Sequence, residues 1–305
     1  MALLPVAIVV AIVLWFVYSP ITAETIAGLC IALATTFVLR YINNSLQLIR
    51  VRSWAVSSLY ILLIAVYAPM HRWDPVEMAC YCLYLIFVIG LLYSYQVRRP
   101  QVGTFIAMLA MALLTMRTPQ LVCLVPMAVI AMFAALRTLN AKTFLAILFG
   151  FMLPYEVWFC WHLYEGNLGE SAQAIYDAFH SFSLPTMAEG GSFFDVIIKT
   201  LLSLPTLLVL LLGVFGFFSI VHFLNTSYND KIRTRMHYIT LILQWPVLLL
   251  LLIFTKGSEP QLIGVFLICS SPLLAHYFVL SKGWVANIFF WIFLLSCSYL
   301  ALQPL

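Results

Sequence analysis

The chain has 305 residues, of which 64% are hydrophobic and only 9% are charged. Its mean hydropathy of +1.06 excludes an ordinary soluble globular protein and indicates an integral membrane protein. The formal net charge of +4 is modest, so the placement of the charges along the chain tells more about membrane topology than about a charged partner.

Apolar stretches recur along the whole chain and predict an all-α fold, a polytopic bundle of about eleven transmembrane helices, because crossing ~30 Å of hydrocarbon takes roughly 20 helical residues. We expect a single integral membrane domain over residues 1–305. The gaps near Arg117 and Ser281 are very short, so each neighbouring pair of helices forms either two full crossings or a re-entrant hairpin. The predicted spans, in chain order, are Leu3–Tyr18, Thr22–Leu39, Ser53–Pro69, Val76–Gln96, Val102–Met116, Pro119–Leu136, Ala141–Tyr164, Val196–Phe223, His237–Phe254, Pro260–Leu280 and Trp284–Ala301.

Basic residues predict the orientation of the bundle, because short cytoplasmic loops collect lysine and arginine. When alternate gaps are taken as cytoplasmic, that side holds 11 of the 15 basic residues, while nearly all acids fall opposite. We therefore expect the N-terminus inside and the C-terminus outside. No basic face is then left for a nucleic acid. The basic residues predicted inside are Arg40, Arg50, Arg52, Arg98, Arg99, Arg137, Lys142, Lys231, Arg233, Arg235 and Lys282.

The longest gap between predicted spans covers residues 165–195 and falls on the outer side. From about Ser171 to Phe182 its apolar residues follow helical spacing, with polar residues opposite. We expect an amphipathic helix there, which either lies on the outer interface of the membrane or plugs the helix bundle. The apolar positions are Ile175, Ala178, Phe179 and Phe182.

A carboxylate interrupts the seventh predicted helix in the stretch GFMLPYEVWFCW, residues 150–161. At a rise of ~1.5 Å per residue, Glu156 lies in the outer half of the bilayer, two positions after Pro154, whose missing N–H should kink the helix. Glu156 either snorkels or pairs structurally, or it forms the wall of an outward-opening cavity. Arg117, at the outer end of the fifth helix, is the partner that we expect for it.

Further polar residues lie at outer helix ends or in proline-broken helices, which is how membrane proteins commonly build polar sites. Two outer acids are candidate catalytic bases toward an acceptor hydroxyl. The seven cysteines and six histidines lack metal-ligand spacing, so no metal site and no cofactor are predicted. The candidate catalytic acids are Glu24 and Asp74, and the candidate substrate-binding residues are Arg117, Glu156, Arg72, His162 and Gln244.

The run QVGTFIAMLAMALLTMRTPQLVCLVPMAVIAMFAALRTLNAKTFLAILFGFMLPY, residues 101–155, resembles the middle of uncharacterised multipass inner-membrane proteins of Bacteroidetes-type bacteria. More distantly, it is similar to the GT-C type glycosyltransferases, multipass enzymes that use polyprenyl-phosphate sugars and in which a comparable helix pair reads GLA-LLTK-P. The resemblance implies that Arg117 stands at that family's basic position, where it holds the anionic phosphate of the donor. It also implies that the outer loop from Glu165 covers the substrate.

Two classes of function are left open. The first is a GT-C-like handler of lipid-linked sugars with an outward-facing site, although the first outer loop, SPITAET, is short and offers only Glu24, without an acidic pair. The second is a non-enzymatic membrane carrier or assembly partner for lipids or envelope precursors, in which Glu156 and Arg117 form a gate or a structural pair. The partners expected are membrane lipids, with polyprenyl-phosphate-linked sugar as the ligand of the first class.

Overall fold

A computed structural model describes residues 3–18, 20–51, 53–67, 75–167, 204–254 and 260–302, together with the single residues 169, 173 and 176. Within these ranges the chain is all-helical and forms eleven α-helices, which confirms the predicted fold class. They are α1 (Leu3–Tyr18), α2 (Ala23–Leu46), α3 (Ala55–Tyr67), α4 (Pro75–Tyr93), α5 (Pro100–Arg117), α6 (Leu124–Ile130), α7 (Ala141–Glu165), α8 (Leu204–Thr226), α9 (Ile232–Phe254), α10 (Pro260–Leu280) and α11 (Trp284–Leu302).

Eight helices within the described ranges are long and apolar enough to cross a membrane, which fits a multi-pass integral membrane protein. Three shorter apolar helices, Leu4–Val17, Ala55–Tyr67 and Pro119–Ala135, accompany them. The last of these is mixed, because α6 is preceded by a 3-10 turn over Pro119–Cys123 and followed by a π-turn over Ala131–Ala135. The amphipathic helix predicted from about Ser171 to Phe182 lies outside the described residues, apart from two isolated positions.

Backbone contacts divide the chain into two compact units. Unit 1 contains residues 1–81, 187–238 and 263–305, and unit 2 contains residues 82–186 and 239–262. In unit 1, α3 packs against α1, α2 and α11. The entry to α2 is fixed by a capping box in which the Thr22 and Thr25 side chains each accept from the other's backbone N–H, and the buried indole of Trp15 donates to the Thr25 carbonyl at 3.1 Å. These local bonds join α1 to the start of α2.

In unit 2, glycines bring three helices close together. A Cβ atom on Gly90 of α4 would lie 2.6 Å from the carbonyl oxygen of Gly103 on α5, and one on Gly150 of α7 would lie 2.7 Å from the carbonyl oxygen of Phe105. Without a side chain, these backbones approach closely, which is a common way for membrane helices to associate. The α5–α7 pair is the most extensive helix contact in the unit.

Two helices extend further than hydropathy predicts. The second predicted span ends at Leu39, but α2 continues to Leu46, and the ninth begins at His237, but α9 already starts at Ile232. In α2 the extra turns are held by side chains, since Asn43 Nδ2 donates to the Ser53 carbonyl at 3.0 Å. Charged and amide residues end a span in a hydropathy profile, yet they do not end a helix whose backbone hydrogen bonds continue outside the hydrocarbon.

The connections on one end of unit 1 meet as the basic-residue pattern predicts. The α2–α3 link (residues 47–54) and the α8–α9 turn (residues 227–231) are in contact, because Lys231 Nζ donates to Gln47 Oε1 at 2.9 Å and Thr234 Oγ1 donates to the Gln47 carbonyl at 3.1 Å. Both connections were predicted on the cytoplasmic side, so they do share a side. Which side faces the cytoplasm stays a prediction.

That orientation is tested by labelling single thiols in whole cells, after replacement of the seven native cysteines. A membrane-impermeant maleimide should react with a cysteine placed in residues 165–195 and should spare one placed at Arg233, because the basic side is expected to face the cytoplasm. Permeabilised cells provide the control in which both thiols react. The same accessibility for both positions in intact cells would contradict the predicted topology.

The close approach of α5 and α7 predicts that Gly150→Ala destabilises the protein. The added methyl group must displace the Phe105 backbone, and overpacking of this kind costs about 1–3 kcal/mol. The measurement is the thermal midpoint of the purified protein in detergent. Val157→Ile is the matched control, since it also adds one carbon to α7 but at a side chain that is 63% exposed. Equal midpoints for the two variants would mean that the helices are further apart.

Candidate functional site

Residues predicted at the outer helix ends occupy exposed positions where the structure describes them. Glu24 lies in the first turn of α2, and Arg117 is the last residue of α5; both are exposed. Asp74 and Arg72 fall outside the described residues, in the segment 68–74. The catalytic and substrate-binding roles given to these four residues stay predictions.

The expected contact between Glu156 and Arg117 is wrong: neither side chain takes part in an ion pair in the described structure. Glu156 follows the buried Pro154 by two residues, so it is rotated by roughly 200° around α7 and lies on the exposed face. The polar contact between α5 and α7 near this level is made by hydroxyls, with Thr115 Oγ1 2.9 Å from the Tyr155 hydroxyl. The buried stripe of α7 consists of Thr143, Ile147, Gly150 and Pro154.

His162 lies in the last turn of α7 and is partly buried. Its Nδ1 is 3.7 Å from a carboxylate oxygen of Glu165, and its ring centroid is 4.5 Å from that of Trp158. All three residues are on one helix at spacings of three and four, so the contacts are local. These contacts are typical of a histidine at the end of a helix and do not by themselves indicate a binding site.

Gln244 is buried in the middle of α9 in a polar contact with α4. The Tyr84 hydroxyl donates to Gln244 Oε1 at 2.8 Å, and the Gln244 side chain is inaccessible to solvent. Both residues lie near the centre of their helices, so in a membrane this contact lies near the bilayer midplane. The amide Nε2 of Gln244 has no hydrogen-bond partner among the described residues, which leaves one buried donor group unused.

The three proline-broken helices differ in how their freed carbonyls are treated. In α10, Pro272 cannot donate to the Ile268 carbonyl, and the Ser271 hydroxyl donates to it instead at 3.2 Å. Ser271 is therefore a structural residue. In α9, Pro246 likewise supplies no N–H to the carbonyl four residues before it, and its neighbour Gln244 keeps an unpaired donor. In α9 the polar residue beside the proline therefore keeps unused hydrogen-bonding capacity, whereas Ser271 beside Pro272 does not.

The most buried ionisable contact that the structure describes lies in unit 1, between Asp230 and His276. The Asp230 carboxylate belongs to the α8–α9 turn, and His276 lies four residues before the end of α10. His276 Nε2 is 3.1 Å from Asp230 Oδ2, and the two side chains are 1% and 2% exposed. Burial of an unpaired carboxylate is very costly, so this contact compensates a charge that water does not reach.

Charged and aromatic groups from three other parts of unit 1 surround the Asp230–His276 pair. Arg50, from the α2–α3 link, has its Nε 4.0 Å from Asp230 Oδ1 and keeps 45% of its side chain exposed. The other neighbours pack against the imidazole ring of His276. They are Tyr238 of α9, Phe223 of α8 and His222 of α8, with ring centroids at 4.8, 5.2 and 6.2 Å from that of His276.

Local backbone structure holds the Asp230 carboxylate at this position. After α8 the chain makes a 3-10 turn over Ser227–Asn229, which ends when the Asp230 N–H donates to the Ser227 carbonyl at 3.0 Å. Two residues later α9 begins, and the positive end of its helix dipole stabilises a nearby carboxylate. The Tyr238 hydroxyl of α9 donates to the Pro272 carbonyl of α10 at 3.2 Å. This hydrogen bond fixes the Tyr238 ring, which packs against His276.

The sequence contains one signal for this cluster. Asp230 lies in the gap that also holds Lys231, Arg233 and Arg235, and an isolated acid among basic residues is a candidate for a specific partner. Its partners were not predicted, because Arg50 and His276 are 180 and 46 residues away and helical periodicity does not say which helices meet. Histidine spacing searched along the sequence also misses a pair formed across two helices.

The fold and these two polar contacts define a class: a multi-pass helical membrane protein with ionisable and hydrogen-bonding groups buried among its apolar helices. Comparison of the chain with protein-family models, with curated proteins and with solved structures gives no match. In the described part of the chain, no three His, Cys, Asp or Glu side chains are arranged as metal ligands.

The Asp230–His276 contact predicts a strongly non-additive response to mutation. Asp230→Asn or His276→Gln alone should each lower the free energy of unfolding by about 1–3 kcal/mol, because each leaves a buried polar group without its hydrogen-bond partner. The double variant should lose clearly less than the sum. The measurement is equilibrium unfolding in mixed micelles.

The exposed pair on α7 provides the control for this cycle. His162 and Glu165 are also a histidine and a carboxylate, but their side chains are 24% and 40% exposed, so their coupling should be only about 0–1 kcal/mol. If the losses at Asp230 and His276 are additive, and the coupling energy of the pair is no larger than that of His162 and Glu165, the buried contact contributes nothing specific to stability.

Proposed function

We propose that this protein is a multi-pass carrier of the bacterial inner membrane that moves a lipid or a lipid-linked envelope precursor without changing it chemically. The observation that carries the proposal is the unused amide donor of Gln244, buried near the middle of α9 beside the Tyr84 hydroxyl. Carriers bind their substrates near the midplane, in helices interrupted by proline or glycine. A catalytic site for lipid-linked sugars would instead lie at the outer helix ends.

The chemistry at Gln244 indicates what part of a substrate it would bind. A primary amide nitrogen donates hydrogen bonds, so its ligand carries an acceptor oxygen such as a phosphate, ester or sugar hydroxyl group. Because an unpaired buried polar group costs about 1–3 kcal/mol, a ligand that supplies the acceptor gains that energy on binding. Membrane lipids and polyprenyl-phosphate-linked sugars both have such oxygens, together with apolar chains that suit a helix bundle.

The second candidate is an enzyme acting on polyprenyl-phosphate sugars, as the resemblance to GT-C type glycosyltransferases implies. What supports it is the exposure of Arg117 at the end of α5, without an ion pair in the described structure, and of Glu24 at the start of α2. A free guanidinium is suited to bind a phosphate group in two places, and an exposed carboxylate is available as a base.

The carrier proposal predicts that Gln244→Leu slows lipid transport about tenfold, the effect of losing ~1.4 kcal/mol of binding energy. The purified protein is placed in vesicles of phosphatidylethanolamine and phosphatidylglycerol that contain a fluorescent polyprenyl phosphate, and dithionite quenching reports its movement between leaflets. Thr104→Val is the control, because it removes a buried hydroxyl that bonds only within α5, to the Pro100 carbonyl at 2.9 Å.

The same vesicles separate the two candidate functions. With a polyprenyl-phosphate sugar inside the membrane, a carrier moves the lipid and leaves the sugar bond intact. An enzyme consumes the donor, and Glu24→Gln and Arg117→Gln abolish that consumption. Donor consumption that depends on these two residues, with no transport that depends on Gln244, would overturn the carrier proposal in favour of the enzyme.

A further inference from the structure

We propose that Asp230 and His276 together bind one exchangeable proton, which reaches them from the side where Arg50 lies, and that this proton drives the carrier. Proton binding at the pair is independent of the proposed function, whereas its coupling to transport rests on that function. Proton binding at the pair concerns unit 1 alone and uses neither Gln244 nor the outer helix ends.

Half of the hydrogen-bonding capacity of the pair is unused. Asp230 Oδ1 and His276 Nδ1 are both buried without a hydrogen-bond partner in the described structure, and Arg50 Nε, at 4.0 Å from Oδ1, is too far for a hydrogen bond. A buried ion pair that only stabilises the fold needs its remaining lone pairs and protons satisfied. Here two polar atoms are left open at the same contact.

The proton balance follows from the donor and acceptor types. A carboxylate only accepts hydrogen bonds, so the neutral imidazole donates a hydrogen bond from Nε2–H to Asp230 Oδ2 and keeps an unprotonated Nδ1, whose lone pair is free to bind a proton. Because Nδ1 of His276 is buried, the site must open locally for hydronium from solvent to donate a proton to it; an N–H bond then forms at Nδ1 and water is released. The product is an imidazolium next to a carboxylate, so the pair changes from a net charge of −1 to 0 and no other covalent bond changes.

Arg50 sets the direction from which the proton comes. Phe223 and Tyr238 pack against the His276 ring, while the Asp230 carboxylate is bordered by the half-exposed guanidinium of Arg50. The groups that interact electrostatically with the His276 ring are Asp230, Arg50 and, from α8, the partly buried His222. When His276 becomes charged, its positive charge neutralises the Asp230 carboxylate. The carboxylate then attracts Arg50 less strongly, and the Arg50 side chain can turn towards solvent.

The test is a difference titration of the purified full-length protein in detergent between about pH 5 and 8, the range in which histidine changes charge. Asp230→Asn and His276→Gln should each take up about one proton fewer than the wild type, and the double variant should lose the same single proton. An ordinary aspartate does not titrate in this range, so a smaller proton uptake by Asp230→Asn would report the proton that the pair shares. Unchanged uptake in Asp230→Asn, or a loss of two protons in the double variant, would overturn the proposal.

Two further variants keep the test sharp if loss of a buried partner unfolds the protein. His276→Lys retains a cation beside Asp230 and so keeps the charge compensated, yet it should also lose about one proton in this range because lysine stays protonated. Glu165→Gln removes the carboxylate from the exposed His162 pair and should leave total uptake unchanged. If His276→Lys keeps the wild-type uptake, the proton is not at this site.

Coupling is measured in the lipid vesicles with a pH difference across the membrane. Transport of the fluorescent polyprenyl phosphate by the wild type should rise several-fold when the Arg50 side is acidified, and Asp230→Asn should not respond. Transport at the same rate with and without the pH difference would overturn the proposed coupling but not the carrier proposal. A proton bound by the pair, with no transport in any vesicle, would instead overturn the carrier and leave the proton site.

Discussion

Every polar group on a membrane-crossing segment needs a partner within the chain, because the hydrocarbon offers none. The helical backbone satisfies most of this demand, and side chains satisfy the remainder: the Trp15 indole bonds to the Thr25 carbonyl at 3.1 Å, and the Ser271 hydroxyl takes the carbonyl that Pro272 leaves free. Such bonds also decide which segments meet, since apolar surfaces alone are interchangeable in lipid. The arrangement of α1 against the start of α2 depends on one of them.

The sequence predicts the helices well because the length of an apolar run must match the thickness of the hydrocarbon that the helix crosses. The bounds of α1 and α10 agree with the prediction residue for residue, as both segments begin and end where the apolar run does. The prediction stops short for α2 and α9, where polar residues extend the helix beyond the membrane and are held by contacts such as Asn43 with Ser53. A hydropathy profile averages the polarity of single residues and contains no information on side-chain hydrogen bonds of this kind.

The candidate site could be predicted only in part. Gln244 stands out in the sequence as an amide within an apolar, proline-broken helix, and the structure buries it. The pairing of Glu156 with Arg117 fails because membrane depth was matched while rotation around α7 was not, and two residues of helix turn a side chain to nearly the opposite face. For Asp230 the sequence provides the odd charge, but helix packing provides the partner. Three things must be known to place a contact: the depth of each residue in the membrane, its rotation around the helix, and which helix packs against it. Hydropathy predicts only the depth.

Buried polar groups with and without hydrogen-bond partners differ in what they contribute to the stability of this protein. Low local dielectric strengthens a completed hydrogen bond and makes an incomplete one costly, at about 1–3 kcal/mol for each orphaned group. Ser271 completes its bonding within α10 and thus only stabilises. Gln244 and His276 each keep a nitrogen without a hydrogen-bond partner beside a well-made contact, and under the two proposals an acceptor oxygen at Gln244 or a proton at His276 restores the stability lost there.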